Sequence, residues 1–232
     1  MSDKKMMNDM TSAMETKYSN LIVLKSNAVK SLHVNVRDKR STHVEFKKFA
    51  DRLMRVLAEE ALAACTIEQA TVWTPTGLEY SGMRPNANIC AVSIVRAGDA
   101  LLEQVIACEP AVSVGKILIQ RDESTPDKRP VVYYSKLPPQ MSKFDRILLL
   151  DPMLATGGSV KKAIELLLAA GIAQKNIVFA NVLACPEGLK AIFEAYPEIH
   201  VVTTAIDPKL NESMYIVPGL GDYGDRYYNT TA

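Results

Sequence analysis

Five short apolar runs, at 89–94, 114–119, 147–150, 177–183 and 201–205, alternate with stretches whose apolar residues recur at helical spacing. That alternation restricts the chain more than any other feature. A strand covered on both faces reads as an unbroken apolar run, and strands separated by helices pair in parallel. The helical stretches fall at 99–108, 159–170 and 187–196. The expected architecture is therefore α/β, a mostly parallel sheet flanked by helices, with ligands bound beyond the carboxyl ends of the strands. Upstream, a run at 21–24 precedes a weak helix at 28–37. Phe46, Phe49, Ala50, Leu53, Met54, Leu57, Ala58, Ala61 and Leu62 then mark one face of a long helix, opposite Lys47, Lys48, Asp51 and Glu59. Residues 72–80 read as a strand broken by the turn Thr74-Pro75-Thr76-Gly77. The charged stretch 120–130 and the extended 131–137 form a solvent-facing arm.

A chain of 232 residues with 48% hydrophobic content buries a sizeable core. We expect one domain over 21–232 and a mobile tail over 1–20, where Lys, Asp, Asn and Met mix without an apolar run. The 27 basic and 26 acidic residues balance to +1, so no global field favours nucleic acid or a membrane surface. Any anion site must be local. Cys65, Cys90, Cys108 and Cys185 lie far apart without metal-ligand spacing, and His33, His43 and His200 add no such pattern. Reduced core thiols, no leader and no run near the ~20 apolar residues of a membrane span make the cytoplasm the expected compartment.

The segment Asp151-Pro152-Met153-Leu154-Ala155-Thr156-Gly157-Gly158-Ser159 joins the run at 147–150 to the helix whose buried face is Val160, Ala163, Ile164, Leu167 and Leu168, with Gly171 at its C-terminal cap. A carboxylate at a strand end can face a sugar, and glycines let backbone N–H groups converge at a helix N-terminus, where the dipole favours an anion. A bare Thr-Gly-Gly-Ser is also an ordinary strand-to-helix turn capped by Ser159. The lysine of the common nucleotide-triphosphate loop is missing. As a whole, the nine residues resemble the phosphoribosyl pyrophosphate motif of phosphoribosyltransferases, in the form carried by the uracil phosphoribosyltransferase family. Many members of the superfamily carry two adjacent acids where this chain has Asp151-Pro152; the uracil branch has one.

Two arginines extend the pattern. Arg96-Ala97-Gly98 follows the run at 89–94, where a forked guanidinium and an approachable backbone suit phosphate. Taken alone it describes a surface ion pair better than a site. It also resembles the family's diphosphate loop, which implies a strained peptide after the arginine. Arg121 opens the charged arm, where Asp122 and Glu123 could simply neutralise it. The resemblance instead implies that it meets diphosphate from a mobile arm that closes over the site.

Near the C-terminus, Tyr215-Ile216-Val217-Pro218-Gly219-Leu220-Gly221-Asp222-Tyr223-Gly224-Asp225-Arg226-Tyr227 reads as a glycine-rich loop with packing tyrosines, and it closely resembles the uracil-binding loop of the same family. By position, Ile216, Gly221, Asp222 and Tyr223 would contact uracil, largely through main-chain groups. Asp222 would also hold phosphoribosyl pyrophosphate and a Mg²⁺ shell, through water. The resemblance covers about 28–228, including Thr74-Pro75-Thr76-Gly77 and Ala184-Cys185-Pro186-Glu187-Gly188. It implies a type I phosphoribosyltransferase-like fold with a small hood built from the N- and C-terminal segments and a mobile β-arm. The implied reaction joins uracil to 5-phospho-α-D-ribose 1-diphosphate (PRPP), giving UMP and diphosphate, with Mg²⁺ as cofactor and Arg96, Arg121, Asp151 and Asp222 as catalytic groups. Arg96, Ala97, Gly98, Arg121, residues 151–159 and Asp222 would bind PRPP. A homodimer or homotetramer is the expected assembly. The rivals are an enzyme for another base, and a silent sensor or RNA-binding regulator on the same fold; the near-neutral charge argues against RNA.

Overall fold

In the computed structural model, residues 3–121 and 129–230 are described, with side chains except for 3–8 and 121. Helix α1 (Asp3–Lys17) leads to β1 (Leu21–Val23), α2 (Asn27–Arg37) and α3 (His43–Cys65). The hairpin β2 (Ile67–Trp73) and β3 (Glu79–Pro85) follows, then β4 (Ile89–Val95), α4 (Gly98–Cys108), β5 (Ser113–Arg121), β6 (Pro130–Lys136) and β7 (Arg146–Leu150). The remainder runs through β8 (Met153–Leu154), α5 (Gly158–Ala169), β9 (Ile177–Asn181), β10 (Leu183–Ala184), α6 (Pro186–Ala195), β11 (His200–Thr203), β12 (Lys209–Leu210), β13 (Ile216–Val217) and α7 (Tyr223–Tyr228).

Each apolar run contributes a strand to one seven-stranded sheet, in the order β1-β11-β9-β7-β4-β5-β6. All neighbours are parallel except β5 and β6, the two sides of the arm. Alternation along each strand divides the core. Leu148, Leu150, Val178 and Ala180 face α3 and α4, whereas Ile147, Leu149, Ile177 and Phe179 face α5 and α6. Strand order reverses between β4 and β7, so the loops leaving these two strands flank the crevice where such sheets bind ligands. Those loops carry Arg96 and Asp151.

The long helix is fixed at its start by a capping box in which Thr42 and Glu45 satisfy each other's backbone N–H groups, an arrangement worth ~1 kcal/mol. Three expectations change. The segment read as a tail is helical over Asp3–Lys17, because Met10 and Met14, four apart, pack on the α6 side of the core and Tyr18 stacks on Phe193 at 4.4 Å. The run at 177–183 is not one strand: the chain leaves the sheet after Asn181, and Leu183–Ala184 pairs with β8 as a small ribbon beyond the sheet's carboxyl edge. The broken strand at 72–80 is the tip of a longer hairpin, registered from Ile67↔Pro85 to Trp73↔Glu79. Helices α2 and α3 from the N-terminal part pack with α7 from the C-terminal part, the β12–β13 ribbon packs on α6, and β1 belongs to the main sheet. The tip of the arm, 122–128, lies outside the described residues.

Candidate active site

The turn after β7 is built to leave backbone donors open. Gly157 is the N-cap of α5 at φ +81, a left-handed conformation natural to glycine, and no side chain caps the helix. Ser159 lies within the first turn and is not the cap. Among the described residues the first N–H groups of α5 therefore have neither intrahelical nor capping partners, an arrangement with the donors that an anion needs. A cavity of about 210 Å³ opens over it, lined by Ala97, Asp151, Met153, residues 155–160 and residues 222–224. Asp151 accepts the Met153 N–H at 3.3 Å, which holds its carboxylate at the turn. Pro152 and Leu154 do not line the cavity. Their carbonyls accept Val182 and Leu183 N–H and Cys185 N–H respectively, so these two residues brace the turn from below.

The underside of the loop rests on α6. The Cys185 Sγ lies 3.1 Å from the Ala155 carbonyl oxygen, and burial pushes its thiol up to about 12, so it remains a proton donor. A Cβ on Gly188 would overlap the carbonyl oxygens of Ala155 and Leu154, so only glycine lets the helix come this close. The sequence contains both residues in a recognisable string, but nothing in their spacing reveals that their task is to support the loop after β7.

A second cavity of about 590 Å³ is lined by residues 95–97, residues 118–120, Asp222 and Gly224. Ala97, Asp222 and Gly224 belong to both cavities, so the two are one continuous cleft across the switch point. Gly98 begins α4, buried behind the loop. The Arg96 guanidinium meets Asp225 at 2.6 Å and Thr230 at 3.0 Å. Asp99 turns away to Ser93 at 2.7 Å and Lys116 at 2.9 Å. The cis peptide of this loop is Val95–Arg96, before the arginine and not after it. Arg121 ends β5, next to Gln120 of the cavity wall, and its side chain is outside the described residues.

The C-terminal loop is fixed by buried charge. Asp207, fully buried, takes a forked pair from Arg37 at 2.7 and 2.9 Å and accepts the Gly219 N–H at 2.7 Å; Arg37 also donates to the Gly219 carbonyl. Beside it, the Thr204 hydroxyl donates to the Val182 carbonyl, so His33 Nε2–H must donate to Thr204 and Nδ1 must accept Arg37 Nε–H. Burial, then the Arg37 charge, lowers His33 to about 4, which agrees with a neutral imidazole. Arg226 ties the loop to the hood through the carbonyls of Val36, Asp38 and Leu220.

Asp222 caps α7 by accepting the Asp225 N–H at 2.9 Å. Tyr223 sends its ring into the core, edge-on to Phe46 at 5.5 Å with its hydroxyl on Met54, which leaves only its backbone for the cleft. Ile216, buried in β13, and Gly221, exposed before α7, line neither cavity. Of the sequence-derived residues, the cleft brings together Arg96, Ala97, Asp151, Met153, residues 155–159, Asp222 and Tyr223. Arg37 and Asp207, which lie outside the motifs, and Gly188 and Arg226, which the motif strings include without a role, support it.

Residues 23–230 match the family described as uracil phosphoribosyltransferase. The chain is 46% identical over 212 residues to the uracil phosphoribosyltransferase of Dictyostelium discoideum, covering 91% of this chain and 97% of that one. It is 45% identical over 216 residues to uracil phosphoribosyltransferase 1 of Schizosaccharomyces pombe, covering 93% and 97%. Among solved structures it is similar to the AQ2163 protein of Aquifex aeolicus, with a TM-score of 0.77, 32% identity and coverage of 91% and 99% of the two chains.

Proposed function

The chain belongs to the uracil phosphoribosyltransferase family and has a type I phosphoribosyltransferase-like fold, and from that membership we propose how its cleft carries out the reaction. It is a glycosyltransferase that joins uracil to PRPP, giving UMP and diphosphate. The observation that carries the reading is the junction of three parts in one cleft: the uncapped start of α5, the Asp151 carboxylate and the backbone of 222–224. The 5′-phosphate occupies the start of α5. Asp151 takes the ribose hydroxyls and lies near the positive charge that develops on the sugar as N1 of uracil, its proton passing to solvent, bonds to C1′ and the electrons of the broken C1′–O bond depart with diphosphate. The 590 Å³ cavity beside Arg96 takes the diphosphate, with Arg121 closing from the arm.

Uracil offers an acceptor, a donor and an acceptor at O2, N3–H and O4, which backbone N–H and C=O groups can match without a charged side chain. The burial of the Tyr223 ring supports main-chain reading by Ile216 and residues 221–223. Mg²⁺ suits the same cleft. Among the described residues no three His, Cys, Asp or Glu side chains converge on one point, and Asp222 already accepts one N–H, which favours an ion with few protein ligands. A magnesium ion held by Asp222 through water, with its remaining oxygens from diphosphate and solvent, matches its preference. When bound it neutralises charge on the leaving group.

Exposed Ile67, Val72, Trp73, Tyr80 and Met83 on a two-stranded hairpin outside the main sheet support a homodimer or homotetramer, because such a hairpin gains little stability alone in water. Light scattering on the purified protein measures the assembly. No described helix is long and apolar enough to cross a membrane. The free cysteines, three of them buried, fit a reducing compartment, and the cytoplasm is the one proposed. The test of the function is product formation from PRPP and each free base, with and without Mg²⁺. UMP from uracil, dependent on the metal, is expected; turnover of a purine and not uracil would overturn the reading.

A further inference from the structure

Asp225 lines neither cavity, yet its carboxylate is the centre of the polar cluster at the rim of the cleft. Its Oδ1 accepts Arg96 Nη2–H at 2.6 Å and the Thr230 hydroxyl at 2.7 Å, while the Thr230 oxygen accepts Arg96 Nη1–H at 3.0 Å. The Tyr228 ring lies 5.6 Å from the guanidinium, and its hydroxyl donates to the Arg96 carbonyl at 3.3 Å. Gly224 leaves the space this requires, since a Cβ there would come within 3.1 Å of Arg96 Nη2. The short loop after β4 thus owes the direction of its arginine to α7.

We propose that Asp225 is a positioning residue for the transfer reaction: it holds Arg96 at the diphosphate end of the cleft and, through α7, ties that end to the base-reading segment 221–223. The proposal rests on the reading of the 590 Å³ cavity as the diphosphate site. A long arginine side chain loses rotamer freedom when it meets an anion, and a partner that fixes it beforehand removes that cost from substrate binding. Thr230 and Arg96 hold the Asp225 carboxyl below the usual carboxylate range, so the partner stays ionised where the enzyme works. Folding gives a weak alternative explanation. The pair is roughly half exposed on both sides, 48% and 39%, and ion pairs so exposed add little stability.

A double-mutant cycle separates the two roles. PRPP affinity by calorimetry, the KM values for PRPP and uracil, kcat and the melting temperature are measured for wild type, Asp225→Ala, Arg96→Ala and the double variant. Asp225→Ala should weaken PRPP binding roughly tenfold with a melting temperature near that of wild type, within the range of coupling found for residues in contact. In the Arg96→Ala background the same substitution should change PRPP binding little, and Asp225→Glu should recover part of the loss. Equal losses in both backgrounds, or no loss in the wild-type background, would overturn the role of Asp225. An inactive wild type would remove the reading of the cleft and this role together, whereas additive losses in an active wild type would remove only the latter.

Discussion

Single residues here act through what they leave open as much as through what they touch. Among the described residues a Cβ on Gly158 would meet nothing closer than Pro130 Cγ at 3.6 Å, an ordinary van der Waals contact. It would nevertheless stand over the helix start, where the 5′-phosphate is proposed to bind. Gly158→Val should therefore remain folded and lose useful PRPP binding by calorimetry; unchanged affinity would remove the loop from the site. His33 makes the opposite kind of prediction. Unfolded, it takes up a proton near 6.5; folded, it stays neutral down to about 4. Between those values the unfolded chain binds more protons, so stability falls as pH drops from 6.5 towards 4 and its contribution levels off below. The gap corresponds to about 3 kcal/mol. Denaturant unfolding across that interval should show a shallower pH slope for His33→Asn than for wild type, and equal slopes would contradict the neutral imidazole flanked by Arg37 and Asp207.

At the scale of elements, the strands and helices around the cleft were legible because each obeys one period. The runs at 89–94 and 147–150 are strands buried on both faces, and α5 is capped at Ala170, one residue before the left-handed Gly171 that the sequence marks as its cap. What stayed hidden depends on contacts between distant segments. Met10 and Met14 on α1 and Tyr18 just beyond it gain partners only in the folded chain, where they pack on the core cluster and Tyr18 stacks on Phe193. Arg37 and Asp207, 170 positions apart, belong to none of the motifs read from the sequence, and Gly188 stands in one only as part of a string. The arm lies between these cases: its strands pair antiparallel as a hairpin, and Arg121 closes β5 beside the wall of the larger cavity. If that arginine meets the leaving diphosphate, Arg121→Ala should lower turnover roughly 10²-fold while uracil affinity changes far less, the scale for losing one preorganised donor. Initial rates equal to wild type would reduce the arm to a surface hairpin.

For the whole molecule, the sheet order places two loops from adjacent strands at one switch point, and the C-terminal segment returns across the chain to complete the cleft. Position in the fold, more than any single side chain, brings Asp151, the start of α5 and the backbone of residues 222–224 to one cleft, which is why the sugar phosphate and the base are proposed to meet there. The central claim is that uracil is read by main-chain groups. Cytosine replaces the N3–H donor with an acceptor and the O4 acceptor with an amino donor, so two of three contacts would oppose like groups. Each unpaired buried group costs about 1–3 kcal/mol, and hydrogen-bonding sites reject such partners by about 10⁴-fold. The decisive measurement is competition between uracil and cytosine at equal concentration with PRPP, the products separated by chromatography. UMP with almost no CMP is the predicted result, and comparable yields of the two would contradict the account.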